Sequence, residues 1–303
     1  MRNTITRKVT EFAERHPNVF LITGDAGFGV LEDFQRRFPD RFLNLGIAEQ
    51  NTISFASGLG LTGFKVFVYN IIPFLLYRCY EQVRNDICYQ KIPVTLLGIG
   101  SGVTYAPMGM THYSVEDVAV ARTLPNLIIL SPADPVEAEK CAEFSLRCSH
   151  PVYIRIAKRG EPTIHTQNSI DIEKPLRVRE GSQAAVLFHG SISQEVLEAT
   201  ASMSPAPRIF SVPLLQPLNF DSLRVQLGDI HILITVEEHF IEGGLGSIIS
   251  DWIAREKLPY RLHKLGIKNE FIHTIKNNSG MRQHYGLSSA QIRREIENVL
   301  ARS

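Results

Sequence analysis

The sequence predicts an α/β protein made of two doubly wound domains with largely parallel sheets. Short apolar runs rich in β-branched residues alternate with longer stretches of helical period, which is the pattern of βα units. The chain has 303 residues, about two domains at roughly 150 residues each. Between residues 160 and 182 the periodicity fails and Pro, Thr, Gln, Glu and Arg dominate. We therefore expect domains at residues 1–165 and 182–303, joined by a linker at 166–181.

The first domain is predicted to contain six strands separated by helices. The predicted strands are Val19–Thr23, Phe42–Leu45, Lys65–Tyr69, Pro93–Ile99, Leu127–Leu130 and Pro151–Ile156. The predicted helices span about 48–61, 74–88, 114–123 and 134–147. The last helix has a clear start, because Asp134 can cap the free amides and Pro135 suits the first turn.

The same rhythm resumes in a smaller second domain. Its predicted strands are Ala184–Phe188, Arg208–Val212, Ile230–Val236 and Tyr260–Leu265, and its predicted helices span about 191–202, 243–255 and 289–300. The sequence Glu237-Glu238-His239 directly follows one of these strands. We expect this acidic pair to face solvent or a boundary between subunits, and we assign it no catalytic role.

Composition predicts a neutral cytoplasmic protein. The 32 Lys and Arg residues balance 31 Asp and Glu residues to a net charge of +1, which does not indicate binding to nucleic acid or an anionic membrane. No apolar run approaches the roughly 20 residues of a membrane span, and the amino terminus lacks a signal-peptide core. The four cysteines form no C-x-x-C pair, which favours reduced packing residues over zinc ligands or disulfides.

Ligands of open parallel sheets bind in the loops that follow the strands. Asp25 lies in one such loop, Gly24–Gly29, which lacks the glycine spacing of a phosphate-binding loop and favours a plain turn. Glu49 lies in the next, within the sequence GIAEQN at 46–51. A carboxylate in a first helical turn is either a favourable helix-start residue or a functional group, and spacing alone does not decide between them.

Two further segments that follow predicted strands contain candidate residues. Phe74, Tyr77 and Tyr80 are spaced to share one helix face, which is typical of core but also suits a ligand-binding wall near a strand end. His112 ends the interrupted loop 105–112. It is either a satisfied loop residue or a group that titrates near neutral pH and acts on a substrate.

Five segments together resemble the transketolase family of thiamine-diphosphate enzymes. They are GIAEQN at 46–51, FLLYRCYEQVRND at 74–86, GMTH at 109–112, TLPNLIILSPADPVEA at 123–138 and TVEEHFIEGGLGS at 235–247. The order is similar to a pyrimidine-binding domain followed by the C-terminal domain, as in the second subunit of a split transketolase. The family's Gly-Asp-Gly motif for the diphosphate and metal has no match. The resemblance therefore implies thiamine diphosphate with Mg²⁺ or Ca²⁺ held through an N-terminal partner subunit, in an α₂β₂ assembly.

The resemblance also implies roles for particular residues. Glu49 matches the glutamate that hydrogen-bonds the aminopyrimidine ring and promotes cofactor activation. Phe74, Tyr77 and Tyr80 match the pocket around that ring, with Tyr77 the best candidate for stacking. His112 matches a histidine that faces the reacting carbonyl, and Asp25 falls near an aspartate on the thiazolium side.

The implied reaction is transfer of a two-carbon ketol unit from a ketose phosphate to an aldose phosphate. Met108 stands where ordinary transketolases carry an aspartate that reads a donor hydroxyl, so the donor is expected to differ. Lys158 and Arg159 are candidate ligands for the substrate anion.

Three alternatives remain at this point. The chain could be a 2-oxo-acid dehydrogenase β subunit, although Thr111-His112 favours a transferase. It could belong to an enzyme of the deoxyxylulose-phosphate synthase type. It could also be a catalytically silent scaffold or dimerisation subunit, although such a subunit would not need Glu49, His112 or the aromatic helix.

Overall fold

Two sheets, each covered by helices, form the protein in a computed structural model that describes residues 1–158, 161–166 and 169–302. The strands of the first sheet are β1 (Val19–Thr23), β2 (Phe42–Asn44), β3 (Lys65–Ile71), β4 (Thr95–Ile99), β5 (Ile128–Leu130), β6 (Val152–Ile156) and the later β10 (Leu214–Gln216). They lie in the order β10-β5-β6-β4-β3-β1-β2. All pairings are parallel except that of β10 with β5. The predicted fold class is confirmed.

The second sheet has five strands. These are β7 (Leu176–Arg179), β8 (Ala184–Phe188), β9 (Arg208–Ser211), β11 (Ile232–Phe240) and β12 (Arg261–Ile267), in the order β12-β11-β8-β9-β7. Only the edge strand β7 runs antiparallel to its neighbour. In both sheets the inner strands are largely apolar because helices cover both faces.

Two strands lie where the sequence analysis does not predict them. Strand β7 falls inside the predicted linker 166–181, so the second sheet begins before residue 182. Strand β10 comes from the second half of the sequence but joins the first sheet next to β5. Both are edge strands of three or four residues, and such strands form because a partner edge is available rather than because of their own periodicity.

The helices are α1 (Arg2–Arg15), α2 (Glu32–Arg37), α3 (Glu49–Leu61), α4 (Tyr80–Gln82), α5 (Asp117–Arg122), α6 (Pro135–Arg147), α7 (Ser193–Thr200), α8 (Phe220–Leu227), α9 (Leu245–Glu256), α10 (Asn278–His284) and α11 (Ser289–Ala301). Four of them, α1, α2, α8 and α10, are absent from the sequence predictions. Helix α1 buries Ile5, Val9 and Phe12 at helical spacing. Helix α6 begins as predicted, because the Asp134 carboxylate accepts a hydrogen bond from the Glu137 amide at 2.7 Å.

The predicted helix 74–88 is not one regular helix. A π-helical turn at Pro73–Tyr77 is followed by the short α4 and then a second π-helical turn at Val83–Cys88. A π turn holds one residue more than an α turn, which changes how side chains project from it. This irregular segment follows β3, at the edge of the sheet where ligands bind.

The acidic pair Glu237 and Glu238 is buried, so the prediction that it faces solvent or a boundary between subunits is wrong. The Glu237 carboxylate accepts hydrogen bonds from the Leu245 and Gly246 amides at 2.7 and 2.9 Å, at the start of α9. Glu238 accepts one from the Val103 amide of the first domain at 2.8 Å. The pair therefore stabilises a helix start and the contact between the two sheets.

Two expectations from composition can be compared with the structure. All four cysteines are free, and Cys79, Cys88 and Cys141 are buried, as expected of packing residues. Burial raises the pKa of the Cys79 and Cys88 thiols to about 12. Among the helices of the described residues, none has the length and apolar character required to cross a bilayer.

Candidate active site

The candidate residues converge on the carboxyl edge of the first sheet. Glu49 follows β2, Phe74 follows β3, His112 lies in the loop after β4, and Lys158 follows β6. Because these strands are parallel, their carboxyl ends meet at one edge, and the loops that follow them surround a common space. The fold therefore brings together residues that lie far apart in the sequence.

Glu49 is the first residue of α3 and is only 8% exposed. Its Oε1 accepts a hydrogen bond from Nη1 of Arg78 at 2.7 Å. Its other oxygen, Oε2, accepts no hydrogen bond from the described residues. The carboxylate does not cap its own helix, because Ala48 is the cap residue and no side chain caps this end. Glu49 is thus a buried acceptor with one free oxygen, rather than a simple helix-start residue.

Arg78 is the residue that sequence reasoning missed. Its guanidinium carbon lies 4.5 Å from the centre of the Phe74 ring, within the range of a cation–π contact. The sequence signal was slight: a single arginine four positions after Phe74 in an otherwise apolar and aromatic stretch. Only the fold shows that this arginine pairs with a carboxylate on another helix.

His112 lies between two aromatic rings. The centre of its imidazole is 5.4 Å from that of Phe74 and 5.8 Å from that of Tyr105. Nδ1 of His112 and the Thr111 hydroxyl are hydrogen-bonded at 2.9 Å, which leaves Nε2 available to a ligand. Burial, and secondly the positive charge of Lys158, lower the pKa of His112 below its ordinary value, so the imidazole is neutral at pH 7.

Lys158 contributes a cation that pairs with no carboxylate of the described residues. Its ammonium lies 4.7 Å from the centre of the Tyr105 ring, and none of the ion pairs of the described residues includes it. Arg159, the other predicted anion ligand, lies outside the described residues. An unpaired ammonium next to a neutral imidazole can attract an anionic group of a ligand.

The three predicted aromatic residues face the segment from His112 to Thr123, but they do not form one wall. Phe74 lies against His112, whereas the Tyr80 hydroxyl is hydrogen-bonded to the Thr123 hydroxyl at 2.7 Å. The Tyr77 hydroxyl is buried without a hydrogen-bond partner among the described residues. Burial, and secondly the charge of Asp117, raise the pKa of Tyr77 well above its ordinary value. Phe74 is therefore the ring that contacts the other candidate groups.

Two other predicted residues lie at the surface. Asp25 is exposed with a left-handed backbone (φ 51°), and its amide donates a hydrogen bond to Oδ1 of Asn44 at 2.9 Å. The structure records no contact between its side chain and Glu49 or His112. Met108 is 55% exposed in the loop that leads to His112.

The described residues contain one group that could hold a metal ion, formed by Asp134, Glu137 and His165. None of these belongs to the candidate site. Their oxygens already accept protein hydrogen bonds, including two to Asp134 from the amides of Ile164 and His165 at 2.9 Å. This group anchors the segment after β6.

Comparison with known proteins identifies the family to which the chain belongs. Residues 1–162 match the pyrimidine-binding domain of transketolase, and residues 173–292 match the transketolase C-terminal domain. The chain belongs to the transketolase family. The resemblance carried by its motifs is thereby confirmed.

Three relatives each align with 86% or more of this chain. The apulose-4-phosphate transketolase subunit from Actinobacillus succinogenes is 33% identical over 263 residues, covering 86% of this chain and 85% of the relative. The subunit of the same name from Phocaeicola vulgatus is 29% identical over 297 residues, covering 96% and 94%. The 1-deoxy-D-xylulose-5-phosphate synthase of Dictyoglomus thermophilum is 31% identical over 301 residues, but this chain spans only 48% of it.

A solved structure described as a split gene transketolase, inactive beta4 tetramer, has the same fold. It superposes with a TM-score of 0.89 at 26% identity, covering 99% of this chain and 98% of that one. Transketolases from Leishmania mexicana and Campylobacter jejuni also share the fold, with TM-scores of 0.83 and 0.80 at 17% and 16% identity. This chain covers less than half of each.

Proposed function

We propose that this chain is the aminopyrimidine-side subunit of a two-subunit, thiamine-diphosphate-dependent transketolase. The proposed reaction moves a two-carbon ketol unit from a ketose phosphate to an aldose phosphate. The observation that carries the proposal is the environment of Glu49, a buried carboxylate with one free oxygen. Arg78 joins this carboxylate to the Phe74 ring, and that ring contacts His112. We assign these residues their roles because the chain belongs to the transketolase family.

The residues present fit the aminopyrimidine half of the cofactor. When bound, thiamine diphosphate supplies the carbon nucleophile of the reaction. Glu49 offers Oε2 to a ring nitrogen and holds or releases the proton there. The Phe74 ring provides an apolar surface that excludes water. His112 presents Nε2 to the carbonyl oxygen of a substrate, where an imidazole N–H can donate a hydrogen bond or pass a proton to that oxygen.

Substrate binding is proposed to depend on the positive charge of Lys158 and on the apolar surface of Met108. Lys158 provides a positive group for a sugar phosphate, next to His112. Met108 offers apolar surface at a position where a polar side chain would read a donor hydroxyl. The two relatives named as apulose-4-phosphate transketolase subunits support a phosphorylated ketose as donor. Apulose 4-phosphate is therefore the first donor to assay.

An N-terminal subunit would complete the site and supply the contacts to the diphosphate and to Mg²⁺ or Ca²⁺. Large apolar side chains are exposed in loops that follow strand carboxyl ends of both sheets, namely Phe28, Ile47, Met108, Phe271 and Ile275. Contiguous apolar surface marks protein interfaces, and we propose that these side chains contribute to the contact with the N-terminal subunit. We propose an α₂β₂ assembly in the cytoplasm.

The test is reconstitution with the N-terminal subunit, followed by an assay of ketol transfer. The Glu49→Gln variant keeps the shape of the side chain but removes its proton chemistry, and we expect a loss of roughly 10²-fold or more in kcat. Glu81→Gln is the matched control, since Glu81 is an exposed carboxylate close by on α4. Full activity of Glu49→Gln would contradict the role given to this residue.

The same assembly separates the alternatives. Formation of 1-deoxy-D-xylulose 5-phosphate would favour the synthase reaction named for the Dictyoglomus relative. Acyl transfer to lipoamide would favour a dehydrogenase. Absence of calorimetric binding of thiamine diphosphate with Mg²⁺ to an intact complex would favour a silent scaffold.

A further inference from the structure

We infer that Arg78 is the positioning residue for Glu49, fixing which carboxylate oxygen is offered to the aminopyrimidine. This inference rests on the proposed function and extends it to a residue that none of the matched motif roles includes. Arg78 lies on the π-helical segment after β3, whereas Glu49 begins α3. The two residues come together only in the folded chain.

The first support is the double link between Arg78 and the start of α3. The side chain of Arg78 donates from Nη1 to Oε1 of Glu49 at 2.7 Å. Its carbonyl oxygen accepts a hydrogen bond from Nε2 of Gln50 at 3.2 Å. Backbone and side chain are therefore tied to adjacent residues of one helical turn, which restricts the rotamers that the pair can adopt.

The second support is the contact with Phe74. The guanidinium carbon lies 4.5 Å from the ring centre, and the π-helical turn is closed by the Arg78 amide, which donates to the Pro73 carbonyl at 3.0 Å. A planar guanidinium can stack on an aromatic face and hydrogen-bond a carboxylate at the same time, whereas an ammonium cannot do both equally well. Arg78 thus joins Glu49 to the ring that contacts His112.

An ordinary surface ion pair would not fix the direction of a carboxylate. Exposed pairs contribute little to stability because water screens them. Here the Arg78 side chain is 45% exposed, but that of Glu49 is only 9% exposed. Without the guanidinium, the carboxylate could rotate, and Oε2 would lose its defined direction.

The experiment measures binding of thiamine diphosphate with Mg²⁺ by titration calorimetry, using the chain assembled with its N-terminal subunit. We expect Arg78→Met to raise the dissociation constant about 10-fold, which is a typical coupling between groups in direct contact. Arg78→Lys should lie between wild type and Arg78→Met, because it keeps the charge but loses the planar fork. Arg84→Met is the matched control, since Arg84 is an exposed arginine on the same segment.

A double-variant cycle tests whether Arg78 acts through Glu49. In a Glu49→Gln background we expect Arg78→Met to change the dissociation constant less than about twofold. An equal effect in both backgrounds, or no effect of Arg78→Met in the wild-type chain, would overturn the inference. Failure of the wild-type complex to bind the cofactor would instead count against the proposed function. Because Arg78 is half exposed, its variants should fold, and circular dichroism checks that they do.

Discussion

Individual residues in the site combine burial with one free hydrogen-bonding atom. Glu49 is buried but keeps Oε2 free, and the half-buried His112 uses Nδ1 with Thr111 but keeps Nε2 free. Burial makes such groups sensitive to their neighbours, because a nearby charge acts through less water. The site therefore depends on the residues that hold these groups as much as on the groups themselves.

The pKa of His112 should respond to Lys158. Burial and the charge of Lys158 both lower the pKa of this imidazole. Lys158→Met removes the repulsion between two cations, so the pKa should rise towards its ordinary value, and His112 should become protonated at a higher pH. NMR titration of the imidazole in the full chain measures this. Lys174→Met, which removes an exposed lysine, should leave it unchanged, and an unshifted His112 in Lys158→Met would refute the coupling.

At the scale of elements, the segment after β6 is held by a helix cap. The Asp134 carboxylate caps α6 through Oδ1 and accepts hydrogen bonds from the Ile164 and His165 amides through Oδ2. The cap itself is predictable from Asp134 and Pro135. The second use of the carboxylate is not, because it depends on a segment about thirty residues further along the chain.

Asp134→Ala should therefore destabilise both the start of α6 and the segment after β6. Loss of a buried acceptor leaves amides unpaired at about 1–3 kcal/mol each, so we expect the free energy of unfolding to fall by about 3 kcal/mol in urea titrations. Limited proteolysis should cut the segment after β6 sooner than in the wild-type chain. Asp134→Asn keeps an acceptor oxygen and should lose less. Equal proteolysis of wild type and Asp134→Ala would show that the carboxylate does not hold this segment.

Across the whole molecule, the contact between the sheets combines apolar packing with a buried polar network. The Arg155 side chain is fully buried, and its Nε donates to both oxygens of Asp117 at 3.0 and 2.8 Å. Its Nη2 donates to the Glu238 carbonyl of the second sheet at 2.8 Å. The paired Asp117 carboxylate is what makes a buried charge of this kind tolerable, although Nη1 of Arg155 has no hydrogen-bond partner among the described residues.

Arg155→Met should thus destabilise the entire chain. It leaves the Asp117 carboxylate buried without its cation, and we expect a loss of about 3–5 kcal/mol. Arg293→Met removes a surface arginine of α11 whose side chain is 41% exposed, and it should cost about 1 kcal/mol or less. Urea unfolding followed by circular dichroism compares the two variants. A loss for Arg155→Met no larger than that for Arg293→Met would show that the ion pair adds nothing.

The order of strands and helices along the chain could be predicted because it depends on local pattern. Strand β1 agrees residue for residue, and β8 does as well. Helix α2 escaped prediction because six residues carry too little periodicity. The π-helical turns escaped it because an inserted residue leaves the overall apolar pattern intact.

The sequence by itself determined the α/β class, the family and the candidates Glu49, Phe74 and His112, since these follow from local periodicity and short motifs. Only the tertiary structure decided that Arg78 pairs with Glu49, that Glu237 and Glu238 are buried, and that β10 joins the first sheet. The physical reason is that charge pairing, burial and strand pairing depend on neighbours brought together from distant positions, and a linear pattern does not record those neighbours.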